Sequence, residues 1–159
     1  MGLNMGCGTA DALTRRPSFA LLAQAMHQIS QRMPCVWLLM GAPFERSMNE
    51  EFIQFYQSHY EGTVPLINTA GETSLSELTG LLALCAGVIS SDSDPYHMAV
   101  ALRRPTVACF VLDEPAAHHH VPWCRCLTQP SPNELAYHVL DILASSPSSS
   151  LSSLPQRLL

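Results

Sequence analysis

Apolar residues along this chain fall into short unbroken runs, separated by stretches in which they recur at helical spacing. Gly2 to Met5 reads as the end of a strand entering the turn Gly6-Cys7-Gly8. Phe19, Leu22, Ala23, Met26, Ile29 and Met33 then recur at helical intervals, with Pro17 suited to the first turn and Pro34 a stop. Cys35 to Met40 is continuously apolar, as a strand covered on both faces requires. Beyond Gly41-Ala42-Pro43, the residues Met48, Phe52, Phe55 and Tyr56 mark a second helix, and Val64 to Ile67 a short strand. Ser74 with Glu77 makes a capping box ahead of Leu75, Leu78, Leu82 and Cys85. Gly87 to Ser90 is the next strand, with a helix predicted to begin at Pro95 behind an Asp94 cap. Strands follow at Thr106 to Leu112 and Cys124 to Thr128, and Ser131, Pro132 and Glu134 open a last helix through Leu143.

Strand and helix alternate, and the strands are mainly apolar rather than alternating. This predicts an α/β, Rossmann-like, doubly wound parallel sheet over residues 1–144. The Ser/Pro-rich segment 145–159 is expected to be disordered. In the usual 3-2-1-4-5-6 strand order the first strand is central. Here it holds three or four residues before its turn, so the chain reads as part of something longer.

Composition narrows the partners. Of 159 residues, 47% are hydrophobic and 13% charged, an apolar surface of the kind another domain covers. All eight basic residues are arginine and the net charge is −5, which argues against nucleic acid. An anionic ligand must therefore be held by arginines, backbone amides and helix termini. Six cysteines without regular spacing suggest a reducing compartment, with Cys35, Cys85 and Cys109 as small core residues. With no membrane-spanning run, the expected location is the cytoplasm, or at most the periphery of the inner membrane.

Three segments carry candidate chemistry. The Gly6-Cys7-Gly8 turn brings backbone amides close to a phosphate or ribose. It also looks like the first motif of an S-adenosylmethionine-dependent methyltransferase, although Ala10 stands where a third glycine belongs and no acid ends the second strand. Ser90 to Leu102 places a helix N-terminus, with its free amides and positive dipole end, at the carboxyl end of the fourth strand. His118-His119-His120 and Cys124-x-Cys126 hold ligand-type side chains, but not at a familiar zinc spacing, and read as a chance surface cluster.

Taken together, four segments resemble glycosyltransferase family 9, which contains the ADP-heptose:lipopolysaccharide heptosyltransferases. They are Gly2-Leu3-Asn4-x-Gly6, Gly41-Ala42-Pro43-x-Glu45, Ala70 to Leu78, and Asp92-Ser93-x-Pro95-x-His97 through Val107. The similarity spans about residues 2–115 and covers only the C-terminal, donor-binding domain of a two-domain GT-B enzyme. It implies that Glu45 accepts hydrogen bonds from the donor ribose and that Thr73 and Ser74 line the nucleoside pocket. Asp92, Ser93 and the amides around Asp94 would cradle the pyrophosphate beside His97, with Gly6 and Gly8 facing the same cleft. The donor would be an ADP-sugar or similar nucleotide-sugar, and the glycolipid or glycan acceptor would sit on an N-terminal domain carrying the catalytic base. The resemblance therefore assigns no catalytic residue here, and it demands neither cofactor nor metal, since amides and arginines can stabilise a diphosphate. Three departures fall on the phosphate side: Thr14 where the family has lysine, with Arg15 or Arg16 as substitutes; Asp94 where it has glycine; and Val111 to Pro115 in place of a Gly-Pro-Thr turn. They suggest altered donor binding, and they leave open a non-catalytic remnant that has kept only the fold.

Overall fold

The computed structural model describes residues 1–6, 15–62, 64–112 and 115–146. They form one six-stranded sheet ordered β3-β2-β1-β4-β5-β6, in which every adjacent pair runs parallel. The strands are β1 (Gly2–Asn4), β2 (Trp37–Met40), β3 (Leu66–Asn68), β4 (Val88–Ser90), β5 (Thr106–Phe110) and β6 (Cys124–Thr128). Between and after them run α1 (Phe19–Arg32), α2 (Arg46–His59), α3 (Leu75–Leu84), α4 (Asp94–Ala101) and α5 (Pro132–Ser145). This is the doubly wound order expected, with the short β1 at its centre.

Side chains alternate across a strand, and this divides the core in two. Leu3, Leu39, Ile89 and Val107 point to one face, where they pack with Leu22, Met26 and Ile29 of α1, Phe52 and Tyr56 of α2, and Leu135, Val139 and Ile142 of α5. Met40 and Val88 point to the other, against Leu82, Cys85 and Ala99 of the α3–α4 layer. Tyr96, Val100, Ala108, Phe110 and Cys124 continue that layer beneath β5 and β6.

Several boundaries differ from the sequence reading. Pro17 lies outside α1 because Ser18 is the cap, its hydroxyl accepting from Leu21 N at 3.2 Å. β3 begins at Leu66 rather than Val64, because Pro65 has no N–H for the ladder; its carbonyl accepts from Trp37 N at 2.9 Å. α5 runs to Ser145 rather than Leu143, and the Ser145 hydroxyl donates to Asp141 O at 2.8 Å. Segment 147–159, Cys7, Gly8 and Thr14 lie outside the described residues.

Candidate functional site

The sheet reverses winding between β1 and β4, and open α/β sheets bind ligands outside the carboxyl ends of their strands at such a point. A crevice of about 540 Å³ opens there. Gly6, Arg15, Glu45, Thr73, Ser74, Asp92, Ser93, Asp94 and His97 all line it, together with Asn4, Gly41, Pro43, Leu75, Leu78 and Met98. Of the residues expected at the site, only Gly8 falls outside the described chain. Glu45 and the start of α4 therefore share one crevice on one edge of the sheet.

Its floor is organised by Asn4, a buried polar residue in the central strand. Asn4 Oδ1 accepts from Ser93 Oγ at 2.7 Å, tying the end of β1 to the loop before α4. Ser91 N donates to Asn4 O at 3.0 Å and Ser91 Oγ to the carbonyl of Gly6. Buried polar groups must be satisfied. Here the strand and the loop satisfy each other, which fixes the loop backbone.

Glu45 ends a 3-10 turn, Pro43–Glu45, that follows β2. Its carboxylate folds back so that Oε2 accepts from Ala42 N at 2.7 Å, and only 8% of the residue is exposed. Gly6 makes this possible: a Cβ built there would stand 1.3 Å from Glu45 Oε1. Gly6 therefore clears space for a protein carboxylate, whereas the sequence reading had it clearing space for a ligand. Gly71 contributes in another way. Its φ of +75° favours glycine, and its Cα lies so close to Pro43 that a Cβ would meet Pro43 Cα at 2.9 Å. Gly71→Ala is expected to cost about 1–3 kcal/mol, measurable as a fall in the urea midpoint at constant slope.

At the opposite wall the structure corrects the expected cap. Ser93, not Asp94, is the N-cap of α4; Asp94 is the first helical residue and Pro95 the second. Ser93 Oγ is drawn to Asn4, so it does not cap its own helix, in contrast to Ser18, Ser74 and Ser131. Asp94 is exposed at the rim and acts there through its charge, not by competing for the cap amides.

Among the described residues, the charged lining comprises one arginine and three carboxylates: Arg15, Glu45, Asp92 and Asp94. Arg15 Nη2 contacts Asp92 Oδ2 at 2.5 Å, with both side chains partly buried. Ser74 is also engaged, since its N–H and hydroxyl both donate to Glu77 Oε2, at 2.8 and 2.7 Å. These bonds hold the Glu77 carboxyl below the usual carboxylate range. His97 Nδ1 lies 2.9 Å from His119 Nε2, so one ring donates and the other accepts.

The sequence reading missed Asn4 as a site residue and missed the apolar wall of Pro43, Leu75, Leu78 and Met98. A polar residue inside an otherwise apolar strand was the available signal for Asn4. Nothing in the helical spacing of Leu75 and Leu78 distinguishes a crevice wall from core.

An all-parallel 3-2-1-4-5-6 sheet with a polar crevice at its switch point defines a Rossmann-like α/β domain. A profile of glycosyltransferase family 9 (heptosyltransferase) matches residues 16–137, and the chain belongs to that family. That membership displaces the methyltransferase reading of the first turn. Lipooligosaccharide heptosyltransferase 2 of Haemophilus influenzae is 41% identical over 71 residues, 45% of this chain and 18% of that protein. Lipopolysaccharide heptosyltransferase 2 of Escherichia coli is 44% identical over 43 residues, 27% of this chain and 12% of the relative. The solved E. coli ADP-heptose heptosyltransferase II superposes with a TM-score of 0.74 at 20% identity, over 90% of this chain and 46% of that one. E. coli heptosyltransferase WaaC with ADP gives a TM-score of 0.66 at 17% identity, over 90% and 43%. The chain thus spans less than half of each solved relative.

Proposed function

We propose that this chain is the domain that holds the nucleotide-diphospho-sugar, of the ADP-heptose type, in a heptosyltransferase acting in lipopolysaccharide or related glycan assembly. The observation that carries this reading is the meeting of Glu45 and the uncapped start of α4 in one crevice. A carboxylate accepts two hydroxyl donors at once, as a ribose offers. Amides and dipole at the helix start favour a diphosphate, and Pro43, Leu75, Leu78 and Met98 offer apolar surface to a base. The acceptor and the catalytic base belong to a second Rossmann-like domain outside this chain, so the chain alone binds donor without transferring sugar. Among the described residues no helix is long and apolar enough to cross a membrane, and contact with the acceptor's membrane is peripheral.

Titration calorimetry with ADP and an ADP-sugar tests this. Saturable binding is expected, weakened about tenfold or more by Glu45→Ala, because a charge-assisted hydrogen bond contributes about 1.5–3 kcal/mol. Heat indistinguishable from dilution at millimolar nucleotide would remove the reading. Sugar transfer by the purified chain would refute the division of labour.

The ion pair between Arg15 and Asp92, in a crevice with three carboxylates, favours a second reading: a domain that keeps the fold and has lost its anionic ligand. Asp94→Asn separates the two. If a diphosphate lodges at α4, removing the rim charge tightens ADP binding about two- to fivefold and costs the helix about 0.3–1 kcal/mol of dipole compensation. Unchanged affinity for ADP would place the phosphates elsewhere.

A further inference from the structure

Away from the crevice floor, β6 carries a pair of thiols whose surroundings differ from those of the other described cysteines. Residues two apart in a strand share a face, and Cys124 Sγ and Cys126 Sγ lie 3.9 Å apart. The Tyr96 hydroxyl is 3.2 Å from Cys126 Sγ. That hydroxyl accepts from His119 N at 2.9 Å, and its one proton can go to Ala117 O at 3.0 Å or to the Cys126 sulfur. His118, whose ring packs against Phe110, has a buried Nε2 with no hydrogen-bond partner among the described residues. No three metal-ligating side chains converge among the described residues. The thiol pair is also more ordered than the chance surface cluster the sequence suggested: Cys124 is buried and Cys126 half-buried.

We propose that Cys124 and Cys126 form a reversible oxidation site, in which Cys126 reacts with a hydroperoxide and Cys124 resolves it to an intrastrand disulfide. The Cys126 thiolate attacks one oxygen of hydrogen peroxide and the O–O bond breaks. Cys126 becomes a sulfenic acid, and the leaving hydroxide takes a proton to become water. Cys124 sulfur then attacks the sulfenic sulfur, the S–O bond breaks, and a second water leaves. Two thiols and one peroxide give one disulfide and two waters.

Geometry and environment both support this order of events. Hydrogen bonds from the Cys124 thiol and the Tyr96 hydroxyl stabilise negative charge on Cys126 and lower its pKa, while the pair shares one proton and Cys124 is pushed up. Cys35, equally half-buried, is raised by burial, and enclosed Cys109 is pushed up to about 12. Closing the disulfide brings the sulfurs together by about 2 Å. Cα atoms two apart in an extended strand are about 6.6–6.8 Å apart, at the long limit for a disulfide. The bond therefore bends β6, which among the described residues is the edge strand beyond β5, and a strained disulfide is readily reduced again. The proposal stands independently of the donor-binding reading.

Alkylation with limiting iodoacetamide at pH 6, followed by peptide mass spectrometry, tests the first step. Cys126 is expected to label about tenfold faster than Cys35, a thiolate-fraction advantage partly offset by lower intrinsic nucleophilicity. Stoichiometric hydrogen peroxide should then remove two hydrogens from the peptide containing both cysteines, and dithiothreitol should restore them. Cys124→Ser keeps a hydroxyl donor beside Cys126 and should halt at a sulfenic acid that dimedone traps. Cys126→Ser should abolish the reaction, with circular dichroism confirming that both variants fold. Labelling of Cys126 no faster than Cys35, or a peroxide-induced disulfide elsewhere in the chain, would overturn the proposal.

Discussion

Trp37→Ala is expected to lower the free energy of unfolding by about 3–5 kcal/mol, a large share of the ~5–15 kcal/mol that holds a domain together. Trp37 opens β2 with no solvent exposure, in the layer shared by α1, α2 and the central strands. Its indole N–H donates to Ser30 Oγ at 2.9 Å, so the ring also ties β2 to α1. Truncation empties a cavity that the surrounding helices cannot close, and it leaves the Ser30 hydroxyl without that donor. Urea denaturation followed by circular dichroism measures the loss. Ser30→Ala, which removes the hydrogen bond alone, should cost only about 1 kcal/mol. A loss below that figure for Trp37→Ala would mean the indole is not enclosed as described.

The second large effect is at Gly6. A single methyl group there would occupy the position of the Glu45 carboxylate, 1.3 Å from Oε1 and 2.2 Å from Cδ. Gly6→Ala must therefore evict the carboxylate and break its bond to Ala42 N. The expected cost is about 1–3 kcal/mol of stability. Nucleotide binding should fall as far as it does in Glu45→Ala, because both variants remove the same group from the crevice. The double variant is the diagnostic one. With Glu45 already truncated, the three atoms nearest the added methyl are gone, and Gly6→Ala should become nearly neutral. Additive losses in that cycle would show that the glycine serves another purpose, including the approach to a ligand that its sequence context first suggested.

That glycine shows where sequence reasoning stops. The order of strands and helices was legible because burial on two faces leaves unbroken apolar runs such as Trp37 to Met40, and because Ser74-Glu77 and Ser131-Glu134 announce helix starts chemically. Glu45, Asp92 and Ser93 were legible as neighbours through the resemblance to glycosyltransferase family 9, and the doubly wound topology does place the carboxyl ends of β1, β2 and β4 side by side. What failed depended on contacts across tens of residues. Asp94 looks like a cap in the local sequence. It is not one, because Asn4, at the far end of the chain, fixes the position of Ser93. Gly6 reads in the sequence as a turn beside a ligand, and its packing against the Glu45 carboxylate in the same crevice has no local signal. The contact between Cys126 and Tyr96 is likewise absent from the local sequence, because Tyr96 belongs to a helix on another strand's connection. Local chemistry predicts elements well; which side chains then meet is a property of the assembled sheet.

The central place of β1 also bears on how the chain is made. Gly2 pairs with Leu38 on one side and with Val88 on the other. On a ribosome adding about 5–20 residues per second, the second partner emerges roughly 3–10 s after the first. Through that interval β1 and β2 offer an open apolar strand edge, the kind of surface that pairs with neighbouring chains. Nascent protein should therefore depend on chaperones most while the segment between Met40 and Val88 is being synthesised, and slowing translation there should raise the aggregated fraction.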